Sequence, residues 1–189
     1  MIVEPLKLPD VLLIKPTTYR DARGYFSELW QNDRYAPLGM PHCFAQDNVS
    51  VSGRGVLRGM HYQHPNGQGK LVTAVAGSVF DVAVDLRRGS PTFGRWVGYE
   101  LVAVSGQQMW IPAGFAHGFQ VTSESAVFIY KCTAHYSPRD EHSLRWDDPA
   151  IGIRWPISRP VLSEKDATAP PLKDCPVDSL PVWDGVRRG

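Results

Sequence analysis

Glycine and proline interrupt this chain so often that long helices have no room to form. There are 17 Gly and 16 Pro among 189 residues, and inside a helix or strand each bends or ends it. Between them lie ten short apolar runs bounded by turn residues: 11–14, 25–30, 44–51, 56–63, 71–75, 79–86, 96–104, 108–111, 117–122 and 126–133. Only 32–38 and a stretch after Ser163 read as helical. The clearest alternation is GSVFDVAVDL, which sets Phe80, Val82, Val84 and Leu86 on one face and Val79, Asp81, Ala83 and Asp85 on the other. Many short strands with Gly-rich turns predict an all-β sandwich or barrel with a few short helices. The tail from Trp155 carries Pro156, Pro160, Pro170, Pro171, Pro176 and Pro181. It is expected to wrap the sandwich as extended chain, with 186–189 fraying. The length fits one domain, 1–189.

Composition narrows the function. Hydrophobic residues make up 43% and charged residues 21%, the balance of a folded chain with a core. A net charge of +1 lacks the basic excess of a nucleic-acid binder. No run of eighteen apolar residues is present, so no membrane span is expected. MIVEPLKLPD lacks the basic start and apolar run of a secretory signal. Cys43, Cys132 and Cys175 are odd in number without CxxC spacing, which reads as free thiols in a reducing cytoplasm.

Polar chemistry concentrates in QDNVSVSGRGVLRGMHYQHPNGQGKLV, residues 46–72, with Gln46, Asn48, Arg58, His61, His64 and Lys70. A lone His or Lys is commonly solvated or satisfied in the core. An Arg, a His and a Lys this close in a β-rich segment are expensive to bury without a ligand. Arg suits phosphate oxygens, Lys an oxyanion, and His proton transfer near neutral pH. The odd spacing of Arg58 and His61 puts them on opposite faces of a regular strand. If both serve one site, Gly59 marks a bulge.

A second constellation is GQQMWIPAGFAHGF, residues 106–119. Its Gly106, Pro112, Gly114 and His117 have the spacing of the second cupin motif, and Gly55 followed after five residues by His61 resembles the start of the first. That resemblance implies a jelly roll with His61 and His117 pointing inward. Metal-binding cupins carry His-x-His, but here Gln63 stands at the second position. Two His ligands are too few for a tight metal site.

Two further segments stay open on local grounds. In IYKCTAHYSPRDE, Tyr130 alternates with Ala126, Phe128 and Cys132. It reads as a core aromatic or as a phenol aimed into the barrel. Tyr136 is a surface residue or a stacking platform, and Glu141 alone reads as a solvated charge. In VLSEKDATAP, Ser163 is a plausible helix N-cap, while Asp166 could instead orient a histidine.

Together these pieces resemble the dTDP-4-dehydrorhamnose 3,5-epimerase family of nucleotide-sugar epimerases. The matching segments include RDARGYFSE, FAQDNVSVSGRGVLRGMHYQ, QGKLV, QMWIPAGFAHGF, YKCTAHYSP, WDDPAIGIRWP and LSEKD, in family order. The resemblance implies a cupin jelly roll, a homodimer, a dTDP-4-keto-6-deoxy-hexose substrate and no metal or cofactor. It matches His61 to the base, Asp166 to its dyad partner, Tyr130 to the opposite acid and Lys70 to the residue near the sugar O4. Arg23, Phe26, Glu28, Gln46, Asp47, Asn48, Arg58, His117, Glu141 and Lys165 match substrate-contacting positions, and Tyr136 an aromatic against the thymine. A crossing N-terminal strand region, 1–30, would deliver Arg23, Phe26 and Glu28 to the neighbouring subunit. Two alternatives remain at this point: an epimerase of C3 or C5 alone, and a silent sugar-nucleotide-binding cupin.

Overall fold

Apolar runs too short for helices pair instead into two packed sheets. The computed structural model describes residues 1–185; the fraying expected at 186–189 lies outside them. Thirteen strands are present among the described residues. They are β1 (Ile2–Pro5), β2 (Leu12–Lys15), β3 (Thr18–Asp21), β4 (Gly24–Ser27), β5 (Gln46–Gly53), β6 (Leu57–Gln63), β7 (Lys70–Ala76), β8 (Ser78–Asp85), β9 (Trp96–Val102), β10 (Gln108–Ile111), β11 (Phe115–Val121), β12 (Ser125–Cys132) and β13 (Glu141–Ser143). Each of the ten expected runs overlaps one of them. The two helical expectations hold as α1 (Asn32–Tyr35), continued by a 3-10 turn, and α2 (Glu164–Ala167).

One sheet has the order β1-β2-β10-β7-β12-β5 and the other β13-β6-β11-β8-β9, while β3 and β4 form a separate hairpin. All strand pairings within them are antiparallel. The alternation of β8 explains how the layers meet. Val79 and Ala83 join Val72, Met109, Phe119 and Phe128 in the core between the sheets. Val82, Val84 and Leu86 face outward, under Leu144, Cys175 and Leu180. A third cluster covers the outside of the six-stranded sheet, where Tyr35 and Met40 pack on Ile14, Leu71 and Trp110. The cover over the five-stranded sheet leaves β8 and β11 packed on both faces, and they are buried along most of their length.

The tail forms the cover of the five-stranded sheet. It is tied down at Val161, which bridges to Val56, and at Val182, which bridges to Arg88. Between these ties α2 is carried against β6. The three cysteines are unpaired, with Cys43 exposed and the others buried. Among the described residues no helix is long and apolar enough to cross a membrane.

Candidate active site

The two sheets supply different halves of one polar pocket. Gln46 and Asn48 on β5, Lys70 on β7 and Tyr130 on β12 come from the six-stranded sheet. Arg58 and His61 on β6, His117 on β11 and Glu141 on β13 come from the other. Arg58 and His61 reach the same pocket because β6 bulges. His117 is the register partner of His61 and Phe119 that of Arg58, so three steps on β6 oppose two on β11. Gly59 makes this possible. Its φ of +126° suits only glycine, and a Cβ there would lie 2.5 Å from Gly118 Cα.

Two His–carboxylate pairs stand side by side. His61 Nε2 donates to Asp166 Oδ1 at 2.6 Å, and His117 Nε2 to Asp81 Oδ1 at 2.7 Å. Asp166 is held by its own helix start, where Ser163 Oγ accepts from the Asp166 backbone N–H. The cap and the histidine partner are thus both real, one through the backbone and one through the side chain. Burial pushes the Asp166 pKa up, but the bonds and charge from His61, with Ser163 and the Gly59 N–H, outweigh it and hold it below its ordinary value. In the deeper pair burial dominates: it lowers the pKa of His117 and raises that of Asp81. Burial also lowers that of Lys70, against the pull of Cys132 and Asp81.

These groups line two adjoining chambers that share His61, Lys70 and Tyr130. The first, about 390 Å³, adds Arg58, His117, Lys165 and Asp166, with apolar walls at Leu57, Phe119 and Leu162. The second, about 240 Å³, adds Gln46, Asn48, Gln68, Tyr136 and Glu141. Glu141 ties the two together, taking Lys165 Nζ at 2.6 Å and the Tyr136 hydroxyl at 2.8 Å. Tyr130 packs on the inner core and also opens to both chambers, and burial raises its pKa.

Four residues matched from the sequence fall elsewhere. Asp47 points to the opposite face of β5 from Gln46 and Asn48, as strand alternation requires, and pairs with Lys131 at 2.9 Å. Arg23, Phe26 and Glu28 sit on or just after the β3–β4 hairpin and line neither chamber. Arg23 pairs with Asp21, Glu28 with Arg34, and Phe26 is 69% exposed. Asp81 carries the reverse lesson, since nothing in the sequence reading assigned it a role. The signal was present as a carboxylate set between Val79 and Ala83 on the inward face of β8. Among the described residues there is no group of three or more His, Cys, Asp or Glu that could hold a metal ion.

Known proteins similar to this chain place it among the epimerases, isomerases that act on nucleotide sugars. The structure of a dTDP-6-deoxy-D-glucose-3,5-epimerase from Legionella pneumophila, in complex with dTDP-4-keto-L-rhamnose, is similar at a TM-score of 0.94 and 48% identity, covering 97% of this chain and 98% of that one. A 3'-monoepimerase from Streptomyces bikiniensis, in complex with dTDP-quinovose, is similar at 0.88 and 37%, covering 94% and 92%. A dTDP-4-dehydrorhamnose 3,5-epimerase from Pseudomonas aeruginosa is 55% identical over 163 residues, 85% of this chain and 90% of the relative. The profile of the dTDP-4-dehydrorhamnose 3,5-epimerases matches residues 5–174, and the chain belongs to that family.

Proposed function

We propose that this enzyme converts dTDP-4-dehydro-6-deoxy-D-glucose to dTDP-4-dehydro-L-rhamnose by inverting C3 and C5. The observation that carries the reading is the His61–Asp166 bond of 2.6 Å on one sheet with Tyr130 on the other, both opening to the same chambers. The 4-keto group acidifies the C–H bonds on either side of it. With the His61 Nε2 proton engaged by Asp166, Nδ1 keeps the free lone pair and takes the proton. The electrons left behind move onto O4, where the Lys70 ammonium stabilises them. Tyr130 then returns a proton to the other face of the carbon, which inverts it. One base and one acid on opposite sides suffice, and no redox change occurs.

The remaining residues position the substrate. Arg58 and Lys165 suit the diphosphate, Tyr136 the thymine ring, and Gln46, Asn48, His117 and Glu141 the hydrogen-bonding groups between. Inversion at both carbons is favoured over inversion at one, because the 55%- and 48%-identical relatives are 3,5-epimerases while the monoepimerase stands at 37%.

The same reading makes the enzyme a homodimer of single-domain subunits, working in the cytoplasm. The β3–β4 hairpin belongs to neither main sheet and leaves Tyr19, Tyr25 and Phe26 exposed. Val49 and Val51 are exposed on the edge strand β5. A hairpin crossing to the partner would cover such apolar surface and bring Arg23, Phe26 and Glu28 to the partner's chambers.

The test is proton NMR of dTDP-4-keto-6-deoxyglucose with the enzyme in deuterated buffer. Loss of both the C3 and C5 proton signals, with trapping of the product by a downstream reductase, is the expected result. Loss of one signal alone makes this a single-position epimerase, and binding without exchange removes the catalytic reading.

A further inference from the structure

A third cavity, about 1080 Å³, lies along β9 at the edge of the five-stranded sheet and shares no lining residue with either chamber. Three cations reach it from three separate parts of the chain. Lys7 comes from the loop between β1 and β2, Arg95 from the residue before β9, and Arg154 from the C-terminal tail. No carboxylate lines the cavity. Among the described residues none of the three side chains makes a hydrogen bond or an ion pair. Like charges gathered around one concavity repel, and an anion seated between them relieves that repulsion.

The cavity also offers flat apolar surface. Phe80 and Trp96 lie half-buried in its wall, and Phe93 stands 38% exposed at its rim. Gly98 keeps this wall in shape, because a Cβ at that position would run into the Phe80 ring. Aromatic faces beside unpaired guanidinium groups suit a ligand that is planar at one end and multiply anionic at the other.

We infer that this cavity is a second ligand site, separate from the catalytic pocket, for a nucleoside phosphate whose base stacks on Trp96 or Phe93 and whose phosphates meet Lys7, Arg95 and Arg154. The inference does not rest on the proposed reaction.

The test is equilibrium dialysis with labelled dTDP. The wild-type chain is expected to bind two nucleotides, and an Arg95→Glu/Arg154→Glu variant only one, with its epimerisation rate unchanged. An Arg58→Ala variant should weaken the other binding event and leave this one in place. If the catalytic reading fails, the wild type binds a single dTDP that the Arg95→Glu/Arg154→Glu variant loses, and the second site still stands. Binding that is unchanged in that variant overturns the inference. So does inorganic diphosphate competing as strongly as dTDP, since the site then reads charge alone. A Lys7→Ala/Arg154→Ala variant with an unaltered thermal transition repeats the test if charge reversal disturbs folding.

Discussion

His61 and His117 are direct register partners on β6 and β11, and each holds a carboxylate through Nε2. The two pairs differ in access. The His61 side chain is 28% exposed, whereas His117 is 7% exposed over a fully buried Asp81. The open pair meets the chambers with a free ring nitrogen. The closed pair carries an Asp81 Oδ2 with no hydrogen-bond partner, close enough to Lys70 for their charges to interact. The open pair is the one the proposed reaction uses as its base, while the closed pair sets a buried carboxylate beside Lys70.

Replacing His61 with Ala should therefore abolish exchange at both sugar carbons, a loss of about 10²–10⁴-fold if it acts as general base. Asp166→Asn should reduce kcat by up to about 10⁴-fold with little change in KM, because it disturbs the tautomer and leaves the pocket's shape intact. Deuterium incorporation measured by NMR decides both. Exchange that persists in the His61 variant removes it from the role of base.

Tyr130→Phe keeps the ring that packs on Phe128 at 6.1 Å between centroids and removes only the hydroxyl. Deprotonation precedes the step that needs this hydroxyl. Solvent exchange should consequently survive better than net product formation, and the ratio of the two rates is the measurement. Unchanged epimerisation in Tyr130→Phe would assign the reprotonation to another group or to water.

Gly59→Ala places a Cβ against Gly118 in a backbone conformation that side chains resist. Thermal denaturation should register a loss of about 1–3 kcal/mol. Activity in the fraction that still folds should fall further, because the bulge is what turns Arg58 and His61 to one side. A stable Gly59→Ala enzyme with ordinary kcat would mean that β6 reaches this arrangement without glycine.

The sandwich was legible where one rule dominates, namely short apolar runs between turn residues. The three strands without such a run, β1, β3 and β13, are the ones whose residues are largely exposed or only half-buried. Pairing, not burial, defines them, and pairing leaves little local trace. The start of β11 was also hidden. All seven of its residues are buried, including Gln120, which bonds the Ile157 backbone in both directions, so no alternation marks it. In the site, the bulge at Gly59 followed from spacing alone. The bond between His61 and Asp166 spans 105 positions and has no local signature. Resemblance supplied that pair, and the two local readings of Ser163 and Asp166 proved compatible. Asp81 went unassigned because alternation gives a residue's face but not what the opposite sheet places against it.

The exposed β3–β4 hairpin gives a prediction about assembly. Phe26→Asp should weaken a dimer that buries this ring, shifting sedimentation toward the monomer. If the hairpin also completes the partner's pocket, KM should rise with the dissociation. Mixing Phe26→Asp with His61→Ala chains then provides a sharper reading: a mixed dimer has one pocket with an intact base and an intact crossing hairpin, so activity should recover in part. No recovery, with mixed dimers demonstrated, would confine the hairpin to its own subunit.

The end of β8 is fixed by charge, and this gives the fold its acid limit. Arg87 bonds Asp85 and Asp10 at 2.8 and 2.7 Å, and Ser90 and Thr92 donate to the same Asp85 carboxylate. Burial pushes the Asp85 pKa up, yet these donors hold it below its ordinary value of 3.8. A carboxylate depressed in the folded state contributes its full stability above pH 3.8 and loses it as pH falls through the folded value. Arg87 also lies over the Phe115 ring at 4.4 Å, at the start of the strand that carries His117. Asp85→Asn should cost about 3–5 kcal/mol at neutral pH, because it leaves a buried guanidinium short of a partner. Urea unfolding followed down the acid range should show the wild type losing stability below pH 3.8 and the variant losing less. Parallel curves would move the acid sensitivity to other depressed carboxylates, of which Asp166 is the first to test.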